Sequence, residues 1–161
     1  MADLAPVVPP LHVVLVAPQI PPNTGNAART CAVTGCRLHL VGPLGFSLAE
    51  KDLRRAGLDY WEEVAPEVHG SWAEFEALHL RGDPGRIHLF SARAGRSLFQ
   101  VRFAPGDFLV FGQEQLGLPP ALLAAWPERC LSIPMLSGQR SLNLAVSVGV
   151  GVYSALRSLS E

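Results

Sequence analysis

Sulfur is scarce in this chain, which has three cysteines, Cys31, Cys36 and Cys130, and two methionines. The cysteine count is odd, no pair has CxxC spacing, and no histidine stands at ligand spacing. A disulfide framework and a zinc ribbon are therefore excluded. The three read as reduced, mostly buried thiols of a cytoplasmic protein. Long apolar runs are missing too. The uncharged, largely apolar stretch Leu142 to Leu156 falls short of the ~20 residues that cross a bilayer, so no membrane association is expected. There is no GxxxxGK[ST] phosphate loop, no GxGxxG after a strand, no HExxH and no GxSxG elbow. These absences argue against an NTPase, a nicotinamide enzyme, a zinc protease and a serine hydrolase. No metal is expected.

Charge is sparse and balanced. Thirteen Lys and Arg oppose 14 Asp and Glu, charged residues make up 17% of the chain and hydrophobic ones 48%. That balance suits a globular core, not disorder. Its 161 residues fit one domain, expected over 11–161. Residues 1–10 hold three prolines and no cationic n-region, and read as a short extended or disordered tail, not a signal peptide. A net charge of −1 does not announce a nucleic-acid partner, but a local basic face serves that purpose without it. Lys51, Arg54 and Arg55 are clustered, and Arg81, Arg86, Arg93, Arg96 and Arg102 fill the middle third. Such charges are commonly a solvated face, and they are also what RNA phosphates require.

Short apolar runs mark strands at Leu11–Val16, Arg37–Val41, Ile87–Phe90, Phe108–Phe111 and Leu131–Ile133. Between them lie helix signals. Asn23 can cap a helix ending at Thr34, with Gly35 just beyond it. Ser47 and Glu50, and again Ser71 and Glu74, have capping-box spacing; the first predicts a helix to Gly57. Arg81 to Gly85 reads as a turn, and Pro119-Pro120 starts a short helix through Trp126. The C-terminal segment is ambiguous. Leu142, Leu144, Val146, Val148, Val150 and Val152 alternate with small residues as in a strand, yet the length suits a helix capped by Ser141. If helical, it aligns Ala145, Gly149 and Tyr153 on one face. Strands alternating with helices predict an α/β fold with a mostly parallel sheet flanked by helices.

Polar residues gather where the strands end, the edge at which open α/β sheets bind ligands. Asn23 to Arg29 reads as an ordinary capped helix, or as a polar cradle in which Asn23, Asn26 and Arg29 meet a phosphate or a hydroxyl. Gly112 follows a buried strand and permits close approach of a flat ligand. Glu114 is a carboxylate at that strand's end. Ile133, Pro134 and Met135, then Arg140, Ser141 and Asn143, follow the same plan; a plain helix cap is the other reading of Ser141 or Asn143. His12, His39 and His88 lie in strands and read as satisfied core or edge histidines.

Taken together, these segments resemble the SPOUT-class RNA 2′-O-methyltransferases, nearest to the small kind that modifies the tRNA wobble position. The resemblance runs from Leu11 to Leu156. It rests on Pro21-Pro22-Asn23-Thr24-Gly25-Asn26 with Arg29, Thr34-Gly35, Arg37-Leu38-His39 and Leu53 to Tyr60. It continues in Phe111-Gly112, Glu114, Gly117-Leu118-Pro119, Ile133-Pro134-Met135 and Arg140-Ser141 with Asn143-Leu144. The family's Gly-Pro-Glu-Thr-Arg-Gly is replaced here by Gly112-Gln113-Glu114-Gln115-Leu116-Gly117, and its Ser-Asn after Asn143-Leu144 by Ala145-Val146.

The resemblance implies a SPOUT fold with a deep C-terminal trefoil knot, a helical last segment and a homodimer packed through the first and last helices. It implies S-adenosylmethionine as cofactor, leaving as S-adenosylhomocysteine, held by Phe90, Gly112, Glu114, Ile133, Met135 and Ser141. Arg29, Ser141 and Asn143 would carry catalysis. Asn23, Asn26, Arg29, Lys51, Arg54, Arg55 and Tyr153 would meet the tRNA anticodon stem-loop, although Tyr153 also suits the pocket or the dimer seam. The expected activity is 2′-O-methylation of the nucleotide at position 34, cytidine or a 5-modified uridine. Another tRNA or ribosomal ribose, a non-catalytic knotted RNA-binding protein, and an unrelated flavodoxin-like module are the alternatives.

Overall fold

The computed structural model describes residues 2–55 and 60–161. Six strands, β1 (His12–Val16), β2 (Arg37–Val41), β3 (Glu67–His69), β4 (Ile87–Phe90), β5 (Phe108–Phe111) and β6 (Cys130–Leu131), form one sheet in the order β3-β2-β1-β5-β4-β6. Every pairing is parallel. Val13, Leu15, Leu38, Leu40, Leu109 and Phe111 bury one face, and Val14, Val16, Val41, Ile87, Leu89 and Val110 the other. Because both faces are covered, the strands read as unbroken apolar runs and not as alternating ones. β3, at three residues, is too short to give a pattern and was not anticipated. β6 ends at Leu131, two residues before the expected limit. Its extension turns away from β4: Ser132 N donates to Arg96 O and Leu98 N donates to Ser132 O, each at 2.8 Å.

The described residues hold six helices: α1 (Pro21–Thr34), α2 (Glu50–Arg55), α3 (Trp61–Val64), α4 (Trp72–His79), α5 (Pro120–Ala125) and α6 (Leu144–Ser160). α1 begins three residues earlier than an Asn23 cap would have it. Pro21 and Pro22 occupy its first positions, where a missing N–H costs nothing, so Asn23 is not its cap. Gly35 ends the helix in the left-handed region at φ 71°, as its place after Thr34 suggested. The Ser47 box does not form. Ser47 Oγ accepts from Ala49 N, and α2 starts at Glu50; its expected end at Gly57 lies outside the described residues. Ser71 does cap α4, accepting from Glu74 N.

The last segment is a helix of 17 residues. Its strand-like alternation misleads because glycine and serine separate the valines on every side. The stripe that matters is Leu144, Val148, Val152, Ala155 and Leu156, buried at helical spacing. Its cap is Asn143, not Ser141: Asn143 Oδ1 accepts from Ala145 N at 2.8 Å and Val146 N at 3.3 Å. α1 and α6 pack together over one face of the sheet, and α4 and α5 cover the other. No helix among the described residues is long and apolar enough to cross a membrane.

Candidate active site

Parallel strands place their C-terminal ends on a single edge. A cleft of about 770 Å³ opens there, above β4, β5 and β6. Its wall includes Phe90, Gly112, Glu114, Ile133, Met135 and Ser141, the six positions expected to hold a cofactor. They arrive from four separate segments, namely the ends of β4 and β5, the chain beyond β6 and the loop before α6.

The floor is aromatic. The Phe90 and Phe111 rings stack with centroids 4.3 Å apart. Gly151 of α6 lies against them, where an added Cβ would stand 3.0 Å from the tip of each ring. The closely packed small residue of this helix is therefore Gly151, whereas Gly149 faces open space.

Gly112 is also needed by its own chain. A Cβ there would overlap the backbone of Gly117 and Leu118. The loop between closes on itself through Gly117 N to Gln113 O at 3.0 Å, with Gly117 at φ 68°. Gln115 and Leu116 are thereby left exposed at the cleft.

A polar relay links this loop to the two packed helices. Glu114 Oε2 accepts from Gln19 N at 2.9 Å, and Oε1 accepts from Ile20 N at 3.0 Å and Asn23 Nδ2 at 3.3 Å. A carboxylate at this end of α1 is also favoured by the helix dipole. Asn23 Oδ1 in turn accepts from Asn143 Nδ2 at 2.9 Å. Asn23 is only 8% exposed and engaged at both ends of its amide. Asn143 spends its oxygen on the α6 cap and one N–H on Asn23, and it does not itself line the cleft.

Arg29 does not line the cleft of its own chain. It is exposed on α1, with its guanidinium carbon 5.1 Å from the centroid of the Tyr60 ring, a cation–π arrangement that restrains it. Asn26, Lys51, Arg54 and Arg55 are likewise exposed and outside the cleft, and Arg54 pairs with Glu50 at 2.6 Å. Tyr153 is half-exposed on α6, away from the cleft wall. Sequence reasoning missed Ser91, Arg93, Leu142 and Ser147, which line the cleft alongside Arg140. Arg93 stands three residues beyond β4, a strand-end position that its place among other arginines concealed.

No histidine lines the cleft. His12 Nδ1 and His39 Nε2 are 2.8 Å apart, and His39 Nδ1 is 3.2 Å from His69 Nε2. Burial, then Arg37 and His79, lowers the His12 pKa to about 4. Burial, then the neighbouring histidines, lowers that of His39 to about 2. His88 bonds Asp107 at 2.8 Å. The strand histidines are thus satisfied, as expected. Cys31 and Cys36 are buried free thiols whose pKa burial raises; Cys130 is half-buried.

This sheet and cleft place the chain in the α/β class whose ligands sit above the strand ends. Residues 10–153 match the SpoU rRNA Methylase family, and the chain belongs to it. The tRNA (cytidine(34)-2′-O)-methyltransferase of Burkholderia ambifaria is 48% identical over 147 residues, covering 91% of this chain and 94% of its own. The enzyme of the same name from Saccharophagus degradans is 46% identical over 149 residues, covering 92% and 95%. A structure solved to explain 2-OH methylation of C/U34 on tRNA superposes with a TM-score of 0.85 at 51% identity, covering 93% of this chain and 96% of that one. The SpoU methyltransferase AviRb from Streptomyces viridochromogenes, in complex with AdoMet, shares the fold at a TM-score of 0.75 and 24% identity, covering 94% and 58%.

Proposed function

We propose that this chain transfers the methyl group of S-adenosylmethionine to the ribose 2′-hydroxyl of the tRNA wobble nucleotide, cytidine or a 5-modified uridine at position 34. The observation that carries this reading is the convergence of Phe90, Gly112, Ile133, Met135 and Ser141 on one cleft. Near-full-length relatives named for that reaction support it.

The cleft suits the cofactor. Its volume matches a nucleoside with an amino-acid tail. Leu116 is 80% exposed at the wall, and Leu142 is also exposed beside it. Those uncovered apolar surfaces favour a flat base. The hydroxyls of Ser91, Ser141 and Ser147 can bond a ribose or the amino-acid tail, and Arg93 and Arg140 offer charge for a carboxylate or an RNA phosphate. When bound, the cofactor supplies an electrophilic sulfonium methyl.

The chain's own residues set the geometry. The closed Gln113–Gly117 loop and the relay through Glu114, Asn23 and Asn143 hold the cleft wall rigid, so that donor and acceptor are aligned before reaction. Ser141 orients them from the cleft. Arg29 polarises the 2′-hydroxyl, its positive charge easing the departure of the proton. Since Arg29 lies outside its own cleft, it serves the cleft of a second copy. A homodimer joined through α1 and α6 brings them together, and the exposed Val146, Gly149 and Tyr153 face supports that assembly. The basic helix α2, with Lys51, Arg54 and Arg55, and the exposed Asn26 lie ready for the anticodon stem-loop. A C-terminal knot belongs to the same reading. The turn of Ser132 into the 96–98 segment before α6 returns over β5 is in keeping with it. The same reading makes 11–161 one domain, working in the cytoplasm.

Incubation of purified protein with tRNA and methyl-labelled cofactor, followed by nuclease mapping, tests the proposal. Label on the ribose at position 34 is expected. Label elsewhere, or none, rejects it.

A further inference from the structure

We infer that the protein binds one zinc ion between His39 of β2, Glu67 and His69 of β3, and His79 at the end of α4, as a brace for the edge of the sheet. Register assembles the group. His39 pairs with Glu67 across β2 and β3, and Glu67 and His69, two apart on a strand, point to the same face. The last turn of α4 then delivers His79 to that face. The four residues each offer one ligand atom, and all four atoms lie within 4.8 Å of one another.

Three of the six separations are close to those of a coordination shell. His39 Nδ1 stands 3.2 Å from His69 Nε2 and 3.6 Å from Glu67 Oε2, and His79 Nε2 stands 3.2 Å from the same Glu67 oxygen. Two ligands each about 2.05 Å from zinc at the tetrahedral angle are about 3.3 Å apart. Three nitrogens and one carboxylate oxygen are a donor set zinc accepts, and four protein ligands leave no open position, the mark of a structural site.

Hydrogen bonding alone leaves one member of the cluster, His79, without a partner. His79 Nε2 is buried and, though near Glu67, lies outside hydrogen-bonding geometry. If His39 donates from Nε2 to His12 Nδ1, its Nδ1 accepts from His69 Nε2 while also standing 3.6 Å from the Glu67 carboxylate. A cation among the four takes the place of the His69 contact, draws in the carboxylate and satisfies His79. The His12 contact then becomes the outer support that fixes the His39 tautomer for coordination through Nδ1. Because none of the four lines the cleft, the ion braces β3 and α4 against the sheet and takes no part in chemistry there.

Full-length protein without a histidine tag, stripped with chelator, tests this by titration with zinc. About one zinc per chain should bind, and at about a hundred times its dissociation constant it should raise the melting temperature by roughly 5–10 °C. Cobalt should give the intense visible absorption of a tetrahedral site. His79→Gln and Glu67→Gln, both at partly exposed positions, should keep the circular dichroism of the parent and weaken zinc binding by at least about tenfold. Absence of zinc binding to the parent overturns the proposal. So does undiminished binding in both variants, which would put the metal elsewhere.

Discussion

Asn143 Nδ2 donates to Asn23 Oδ1 at 2.9 Å, joining the start of α6 to the first turn of α1 across 120 positions of chain. Both residues carry a second task. Asn143 caps α6, and Asn23 donates to Glu114 on the cleft loop. Asn143→Ala should therefore cost about 1–2 kcal/mol, from the lost cap and the orphaned Asn23 together. Asn23→Ala should cost less. In urea unfolding, the double-mutant cycle should show a coupling of roughly 0.5–3 kcal/mol; strictly additive losses would deny the link.

Gly112→Ala should remove cofactor binding in calorimetry, because the Cβ meets backbone that has nowhere to go. Gly95→Ala is the control: its Cβ meets open space, so binding and stability should stay within ~0.5 kcal/mol of the parent. Equal binding by the two variants would mean that the crossing of residues 112 and 117 does not shape the cleft.

Arg29→Ala and Gly112→Ala should each be inactive as pure proteins. If Arg29 serves the cleft of a second copy, co-refolding the two in equal amounts should restore roughly a quarter of the parent methyl transfer, the value that random pairing gives. No recovery would place Arg29 in the service of its own chain.

Val146 and Tyr153 are 50% and 51% exposed on α6 in the single chain. Replacing both by Glu should leave the protein folded and reduce its mass in light scattering from two chains to one. Variants that remain dimeric would put the subunit contact elsewhere.

Stability should depend on pH through the buried histidines. His12 is lowered to about 4 and His39 to about 2 in the folded chain, while in the unfolded chain both titrate near the ordinary histidine value of ~6.5. Below pH ~6.5 the unfolded state therefore takes up protons that the folded state refuses. The melting temperature, measured with chelator present, should fall as pH drops from about 6.5 toward 4, and should continue to fall more gently below that. His12→Gln should flatten the upper part of this slope, and an unchanged slope would exclude His12 as its source.

Much of the architecture was legible because β2, β4 and β5 each combine an apolar run with a clear stop. The cleft was legible in part because Gly112, Ile133 and Ser141 stand just beyond strands or before a helix. What escaped has physical causes. Asn23 looks like a cap, but two prolines already open the helix, which frees its amide for a relay whose partners lie 91 and 120 positions away. Nothing local marks such a partnership. The α6 pattern fits period two and helical spacing alike, so only burial decides it. His39, Glu67, His69 and His79 meet through strand register, which no spacing of 28, 2 and 10 residues reveals.

The relay through Glu114 has a consequence for biosynthesis. Its three anchors are made early, late and almost last, so a nascent chain still lacking Asn143 has two walls of the site and no latch. Closing loops of that span is entropically slow and is rewarded only at the end. Ligand capture is thereby deferred until translation is nearly complete, and truncated products are left unable to sequester the methyl donor.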